Sequence, residues 1–447
     1  MAKKKQIELT IEEKLQNALV SKEEQPYKIP NNWCWTYIHN IAIVVTGKTP
    51  SKKNKEYYGG KFPFFKPADL DAGRNMQYAT EYLSEKGKSI SVIIPEKATG
   101  ICCIGTIGKC GYFLVEGTTN QQINTVISKI NPLYSYYFFN TNSFVRELIS
   151  KASATTIAIV NKSKLESCLF PVAPLNEQQR IVNRIESLFV KLDRAKELIE
   201  NTLAQFEQNK MAILHKAFTG ELTVKWRKEN NIDLSSWKKI KLGKVLLPMQ
   251  TKKPTGQFFR YIDIDAIDNK RQIVKAPKLI LTEKAPSRAS RGVETGNILF
   301  SMVRPYLKNI AQIDSDLSDC IASTGFYVCR CKPELNSRFL YYLFIFDKTI
   351  DYLMQFMKGD NSPSIRKDDL LNMKIDLPTI EEQQEIVNIL DNLLAKYNKI
   401  KNLEQQLEKI ELLKKAILAK AFRGELGTNN PDEESAENLL KEILAEK

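Results

Sequence analysis

Residues 174–222 read PLNEQQRIVNRIESLFVKLDRAKELIENTLAQFEQNKMAILHKAFTGEL, and residues 378–426 read PTIEEQQEIVNILDNLLAKYNKIKNLEQQLEKIELLKKAILAKAFRGEL. The second stretch repeats the first. Glu177, Gln178 and Gln179 return as Glu382, Gln383 and Gln384, an offset of 205, whereas Gly220-Glu221-Leu222 return as Gly424-Glu425-Leu426, an offset of 204. One residue is therefore missing inside the second copy.

Both copies carry the apolar pattern of a long helix. In the first, Ile181, Ile185, Leu188, Leu192, Ala195, Ile199, Thr202, Phe206, Asn209 and Ile213 alternate steps of four and three, the seam of a coiled coil. In the second, Ile386, Leu390, Leu393, Tyr397, Ile400, Leu403, Leu407, Ile410 and Ile417 do the same, with two three-residue steps at 397–400–403 that predict a local stammer. Proline precedes each run and glycine follows it, the usual start and stop signals. About 40 residues at 1.5 Å each make a rod of roughly 60 Å. So narrow a stripe needs a partner, and the economical partner for each helix is the other.

Charge divides the chain in the same places. Residues 174–222 hold seven basic and seven acidic side chains, and 378–426 hold eight of each. Residues 31–170 carry 16 basic against 9 acidic (+7) and 232–373 carry 23 against 15 (+8), so the chain's +14 sits almost wholly there. An excess of that kind suits a polyanionic partner.

Outward from the repeats, 447 residues with 43% hydrophobic content describe a multidomain soluble protein. No window approaches the roughly 18 consecutive apolar residues of a membrane span. Lys3-Lys4-Lys5 lacks the apolar run that would make it a secretory signal. The eight cysteines lie among apolar neighbours without paired zinc spacing, and with two histidines they read as buried free thiols of a reducing cytoplasm. Thr10-Ile11-Glu12-Glu13 is a capping box that opens a short helix. Trp35 and Ile38 match Trp237 and Ile240 at an offset of 202, so a basic domain and its rod are duplicated together.

The expected boundaries are an N-terminal helical segment at 1–28, a first basic domain at 29–173, a helix at 174–222, a second basic domain at 223–377, a helix at 378–426 and an acidic tail helix at 427–447. Strands are expected at 41–45, 62–65, 89–94, 100–105 and 123–127, then at 261–264, 297–301, 310–313 and 325–329, with a helix over 339–357. The predicted class is α+β: two small domains, each with a twisted, mostly antiparallel sheet, separated by two long helices that pair as an antiparallel coiled coil in a pseudo-two-fold repeat.

Two stretches imitate catalytic motifs. Ala42-x4-Gly47-Lys48-Thr49 lacks the first glycine of a phosphate loop, and Pro50 stands where a helix should continue. Asn131-Pro132-Leu133-Tyr134 nearly spells an amino-methyltransferase motif, but no glycine-rich turn accompanies it, so it reads as a turn before a helix. No acidic cluster with lysine has the spacing of a nuclease. No catalytic residue and no metal ligand is expected.

What remains is binding, by cations that hold phosphates and by polar side chains that read base edges. In the first domain the candidates are Lys48, Thr49, Lys52, Lys53, Tyr57, Lys66, Arg74, Gln77, Lys109, Asn120, Gln121 and Gln122. In the second they are Lys252, Lys253, Arg260, Tyr261, Arg271, Arg288, Arg291, Arg304, Tyr306, Lys308 and Asn309. For partner proteins, the repeated polar residues Glu177, Gln178, Gln179, Glu382, Gln383 and Gln384, with Phe218 and Phe422, are the candidates, because a coiled-coil seam does not need them.

The order of short helix, tryptophan-opened basic domain, Pro-x-x-Glu-Gln-Gln helix and Ala-Phe-x-Gly-Glu-Leu ending, twice over, resembles the specificity subunit of type I restriction–modification systems across nearly the whole chain. The resemblance implies a non-catalytic, cytoplasmic host-defence subunit that binds double-stranded DNA. Each target-recognition domain would read one half of a bipartite site, with the helices as spacer and docking platform. Two methyltransferase subunits that modify adenine, and restriction subunits, would assemble on it; S-adenosylmethionine, ATP and magnesium would belong to those subunits. A tail helix around Asn438, Leu439, Leu440 and Leu444 would pack beside the N-terminal helix. The rival reading, a coiled-coil scaffold with RNA- or protein-binding domains, explains the rods but not their joint duplication with a basic domain. A self-sufficient methyltransferase lacks its cofactor loop.

Overall fold

A computed structural model of the protein describes residues 9–153, 158–398 and 401–446. Lys3-Lys4-Lys5, Ile400 and the side chain of Tyr397, on which the expected stammer turns, lie outside the described residues. The first repeat forms one helix of 44 residues, Leu175–Phe218, and the second forms helices Ile380–Asn398 and Lys401–Ala421. Glycine ends both. Gly220 (φ +80°) and Gly424 (φ +73°) take the left-handed conformation, which lets Leu222 N–H reach the Lys216 carbonyl and Glu425 N–H the Lys420 carbonyl.

The chain divides into two compact units, 1–198 with 405–447, and 199–404. Each unit thus takes the start of one long helix and the end of the other. In the first unit, Asp193 pairs with Lys414 (2.5 Å) and Lys196 with Glu411 (3.2 Å), so numbers rise along one helix as they fall along the other. The helices there are antiparallel, and Ile181, Val182 and Ile185 share a core with Leu418, Ala421 and Phe422. In the second unit Leu214 and Ala217 share a core with Ile386, Val387 and Leu390. Along the first helix the seam is fully buried only at Ile181 and Ile185, near its start; Thr202 and Asn209 are exposed, and near its end Leu214 and Ala217 are buried beside the half-buried Ile213.

Both basic domains have the same α+β topology. In the first unit a four-stranded antiparallel sheet runs in the order Ala42–Thr46, Ile123–Ser128, Thr99–Cys102, Cys110–Tyr112. In the second unit the matching order is Leu246–Leu247, Phe326–Cys331, Ile298–Ser301, Ile310–Gln312. A further sheet accompanies each, so the single expected sheet is in fact two. Its core is Glu81–Leu83, Tyr58–Phe65 and Thr118–Thr119 in one unit, and Lys278–Leu281, Phe258–Ile262, Ile321–Ser323 and Ala289–Gly292 in the other. In both, the pairing of the second and third strands is parallel.

Two expected elements differ. Residues 89–94 are not a strand, because Ser84 caps a short helix, Glu85–Ser89, and only Ile94 bridges, to Gly117. The helix expected over 339–357 breaks at Phe346, whose backbone turns extended (ψ 127°) while its ring stacks on Phe218 at 5.3 Å. Asn131 accepts from the N–H groups of Leu133 and Tyr134, so the methyltransferase look-alike is a helix cap.

A two-stranded ribbon ties each domain to its helix. Cys34–Tyr37 pairs with Leu169–Val172, and Lys238–Lys241 with Lys374–Leu377. This register makes Trp33, not Trp35, the counterpart of Trp237, an offset of 204 instead of the 202 read from sequence. Hydrogen bonding confirms it. Trp33 Nε1 donates to Glu177 Oε2 (2.7 Å) and Trp237 Nε1 to Glu382 Oε2 (2.8 Å). Both carboxylates are wholly buried, as are Gln178 and Gln383.

The remaining donors come from just beyond the other long helix. Thr428 (3.3 Å) and Asn429 (2.8 Å) donate to Glu177, and Thr223 and Arg227 (both 2.6 Å) to Glu382. Gln178 and Gln383 accept from the backbone N–H of Asn131 and Asn336, and donate to the carbonyls of Ala173 and Pro378. Gln179 and Gln384 accept from the Asn131 and Asn336 side chains. The tail helix Ala436–Ala445 packs against Ile11–Ala18, with Lys441 on Glu12 (2.6 Å) and Arg180 forked onto Glu433 (2.7 and 2.6 Å).

The two buried carboxylates differ in one respect, since only Glu382 meets a buried cation. Glu382→Ala should therefore cost about 3–5 kcal/mol, because it strands the Arg227 charge. Glu177→Ala, which strands neutral donors, should cost about 1–3 kcal/mol. Denaturant unfolding followed by tryptophan fluorescence reads both; equal losses would show that the Arg227 charge is immaterial.

Candidate nucleic-acid interface

The look-alike phosphate loop is occupied by its own backbone. Gly47 N–H donates to Ile123 O (3.2 Å) and Lys48 N–H to Thr119 O (2.9 Å), so the donors that would cradle a phosphate are spent. A Cβ on Gly47 would lie 2.2 Å from Thr119 Oγ1, so the glycine serves close packing. Among the described residues no group of three or more His, Cys, Asp or Glu side chains is placed to hold a metal ion. All eight cysteines are free; seven are buried, and burial pushes the Cys34 thiol up to about 12 and Cys103 to about 11.

The backbone instead builds a row of polar side chains along one edge of each domain. In the first unit Lys48 joins Thr119, Thr49 Oγ1 bonds Gln121 Oε1 (2.5 Å), Asn120 Nδ2 donates to Gln122 Oε1 (2.9 Å), and Cys103 N–H donates to Gln122 O (2.8 Å). In the second, Lys252 N–H bonds Ser290 O (3.1 Å), Thr324 N–H bonds Arg288 O (2.8 Å), and Met302 N–H bonds Gly325 O (2.9 Å). These bonds bring Lys48, Thr49, Asn120, Gln121 and Gln122 together in one unit. In the other they bring Lys252, Arg288, Arg291 and the turn that carries Arg304. The alignment Lys48-Thr49-Pro50 with Lys252-Lys253-Pro254 at the same 204 offset was present in the sequence as a signal for these edges.

The candidate cations fall into two groups. Lys66, Arg74, Lys109, Arg260 and Arg271 pair with Glu81 (2.5 Å), Glu186 (2.5 Å), Asp71 (2.7 Å), Asp319 (2.9 Å) and Asp268 (3.8 Å), and Lys308 pairs with Asp347. Lys48, Lys52, Lys53, Lys252, Lys253, Arg288 and Arg304 are exposed and make no ion pair with the described residues. Unpaired cations are the ones whose approach to phosphate releases counterions without first breaking a bond.

Tyr261, Asn120 and Asn309 are buried, so their part in an interface is to hold the edge strands. Tyr57 is half-buried, Gln77 is exposed, and Tyr306 is 42% exposed. Tyr78, 74% exposed beside Gln77, is a stacking surface absent from the sequence-derived set; an isolated tyrosine in a polar loop carries no periodic signal.

The partner candidates sit elsewhere. Glu177, Gln178, Glu382 and Gln383 have no exposed surface, and Phe422 is buried against Tyr134 (4.9 Å) and Phe138 (5.2 Å). Phe218 is half-buried against Phe339 and Phe346, both at 5.3 Å. Gln179 and Gln384 are exposed at the helix starts. Internal bonding and packing occupy Glu177, Gln178, Glu382, Gln383 and Phe422, while Gln179 and Gln384 keep exposed surface.

Comparison with known proteins places this geometry. The type I restriction modification DNA specificity domain matches residues 30–207 and 250–412, which covers nearly all of the first basic domain, the second from residue 250 and most of both rods. The chain belongs to this family. It is 23% identical to the EcoDI specificity subunit of Escherichia coli over 94% of this chain and 96% of that one. It is likewise 23% identical to the MjaVIII specificity subunit of Methanocaldococcus jannaschii, over 92% and 96%. The HsdS subunit of Thermoanaerobacter tengcongensis shares the fold at a TM-score of 0.54 and 20% identity, over 90% of this chain and 99% of that one. A solved chain of a type I R-M system superposes at 0.68 with 20% identity, over 90% and 100%. No described helix is long and apolar enough to cross a membrane.

The split among cations sets an expectation. Lys52→Gln with Lys53→Gln should weaken binding to every DNA sequence alike and lower the salt slope by roughly one for each phosphate no longer neutralised. Titration at several salt concentrations measures it; a change confined to one sequence would mean these lysines read bases.

Proposed function

We propose that the chain is the DNA-reading subunit of a type I restriction–modification complex, each unit reading one half of a bipartite double-stranded target. The observation that carries this is the duplicated edge: two domains with the same strand order in their four-stranded sheets, each opening a row of exposed cations, with oriented side-chain amides beside them in the first unit and arginines in the second. Phosphate-directed cations beside base-directed polar groups are the two components of sequence-specific binding. Duplicated readers suit a ligand with approximate two-fold symmetry. The RNA- or protein-binding scaffold gains no comparable support.

In this reading the subunit works in the cytoplasm and performs no chemistry. Two methyltransferase subunits and the restriction subunits bring S-adenosylmethionine, ATP and magnesium, and the long helices space the readers and receive those partners. Exchanging 31–170 for the matching domain of a relative, then mapping modified adenines across the host genome, should change one half of the motif and leave the other. A change in both halves would refute modular reading.

Docking falls on the helices' outer surface, since the repeated Glu-Gln pairs face inward. Val190 (67% exposed), Leu412 (63%) and Leu413 (49%) support this, as apolar residues on otherwise polar helix faces. Val190→Glu with Leu412→Glu should abolish co-purification of the methyltransferase subunits while leaving the unfolding midpoint in place. A stoichiometric complex surviving both substitutions would move the docking surface elsewhere.

A further inference from the structure

The two edges share one turn, at the end of the third strand of each four-stranded sheet, and differ in what it carries. In the first unit the turn spans Gly105 (φ +82°) to Gly108 (φ +88°), both left-handed. In the second the equivalent turn begins at Arg304 (φ +47°) and ends at Lys308 (φ +50°), also left-handed. Hydrogen bonding fixes the equivalence. Ile104 bridges Ile159 just ahead of one turn, and Val303 bridges Ser364 just ahead of the other. Cys103 N–H bonds Gln122 O, as Met302 N–H bonds Gly325 O.

Left-handed backbone is where glycine belongs, and a long side chain there is strained. The second unit keeps that strain in order to place a guanidinium at the head of the turn. Such an outlier points from strain to function. Arg304 is also held in place: its N–H donates to Pro363 O and its Nη2 to Asn361 O, both at 2.8 Å. Its side chain is exposed, makes no ion pair with the described residues, and has donors left over on the same fork. Lys308, at the other end, is tied to Asp347 and to Ile345 O and closes the turn. Arg304 lies next along the edge after Arg288 and Gly325, where the DNA-reading surface proposed above runs.

We propose that Arg304 is a specificity-determining residue that reads a guanine in the half-site bound by the unit 199–404. A rigid arginine fork matches the O6 and N7 acceptors of guanine in the major groove, and of no other base. The first unit has glycine at this position. Its edge presents instead the Gln121 amide, oriented by Thr49, so the two half-sites differ in what they are asked to show at this place.

This assignment rests on the DNA-reading function. The test is the full chain assembled with the methyltransferase subunits of its own system, with modified sites mapped across the genome and binding measured on matched oligonucleotides. Arg304→Gly removes the side chain and relieves the left-handed strain, and Arg304→Asn also tolerates that backbone. Both should therefore fold at least as well as the natural chain, which thermal unfolding checks.

The expected result is that one guanine position, in the half-site lost on exchange of the second domain, becomes degenerate. Discrimination there should fall roughly 5- to 150-fold, with the other positions retained. Arg304→Lys, which keeps the charge but not the fork, should lose most of that discrimination as well. A bipartite wild-type motif left unchanged at every position by Arg304→Gly would overturn the assignment alone. So would an equal weakening on all sequences, which makes Arg304 a phosphate contact, or a lysine variant indistinguishable from arginine, which removes the bidentate fork from the reading. A wild-type complex with no sequence preference would overturn the DNA-reading function and this assignment with it.

Discussion

The structure depends on two buried carboxylates. Glu177 and Glu382 stand in the first turns of the long helices, out of reach of water, where an ion without donors would be intolerable. Each is satisfied from two directions: by a tryptophan ahead of the domain's ribbon, and by residues just past the end of the other long helix. A unit can therefore close only when the start of one helix and the end of the other are both present. That requirement ties a basic domain, the start of one rod and the end of the other into one object. It gives a physical reason for duplicating the domain and rod together.

The two closures are alike in plan and unlike in electrostatics. Arg227 gives Glu382 a buried counter-ion and also bonds the Gly220 carbonyl (2.5 Å), so one side chain joins a helix end to a helix start. In the first unit that place is taken by Asn429, a neutral donor. The nearby cation, Arg180, is turned instead to Glu433 and holds the tail, and its hydrogen bond keeps the Glu433 carboxyl below the usual carboxylate range. Chain beyond the second rod thus supplies in the first unit what chain beyond the first rod supplies in the second. Pseudo-symmetry extends past the helices to the short segments that follow them.

On such a frame the recognition edges can vary without disturbing the closure. Strand order and the parallel pairing persist in both domains, while edge residues change from amide-rich to arginine-rich. The glycine turn of one unit and the strained Arg304 turn of the other occupy the same place in the strand order. The residues that close each unit and the residues that differ between the two edges are therefore separate sets.

The sequence by itself determined the duplication, the helical rods, the capping box at Thr10, the tail helix and the location of the excess charge. Each of these is a local or periodic property: spacing shows which face of a helix is buried, and a repeat is visible at any distance. It did not show what covers a face or completes a hydrogen bond. Glu177 meets Trp33 across 144 residues and Asn429 across 252, and no window contains such pairs. Hence the repeated Glu-Gln pair reads in sequence as a surface phrase and is internal, while only Gln179 and Gln384 stay exposed. Local spacing likewise pairs Trp35 with Trp237, and the ribbon register makes the partner Trp33. Only tertiary structure divided each sheet in two, broke the helix at Phe346 against Phe218, and put Arg304 in a glycine's conformation. In each case contacts distant in sequence outweigh local preference, because a buried polar atom or a packed ring contributes more than the propensity of the residues beside it.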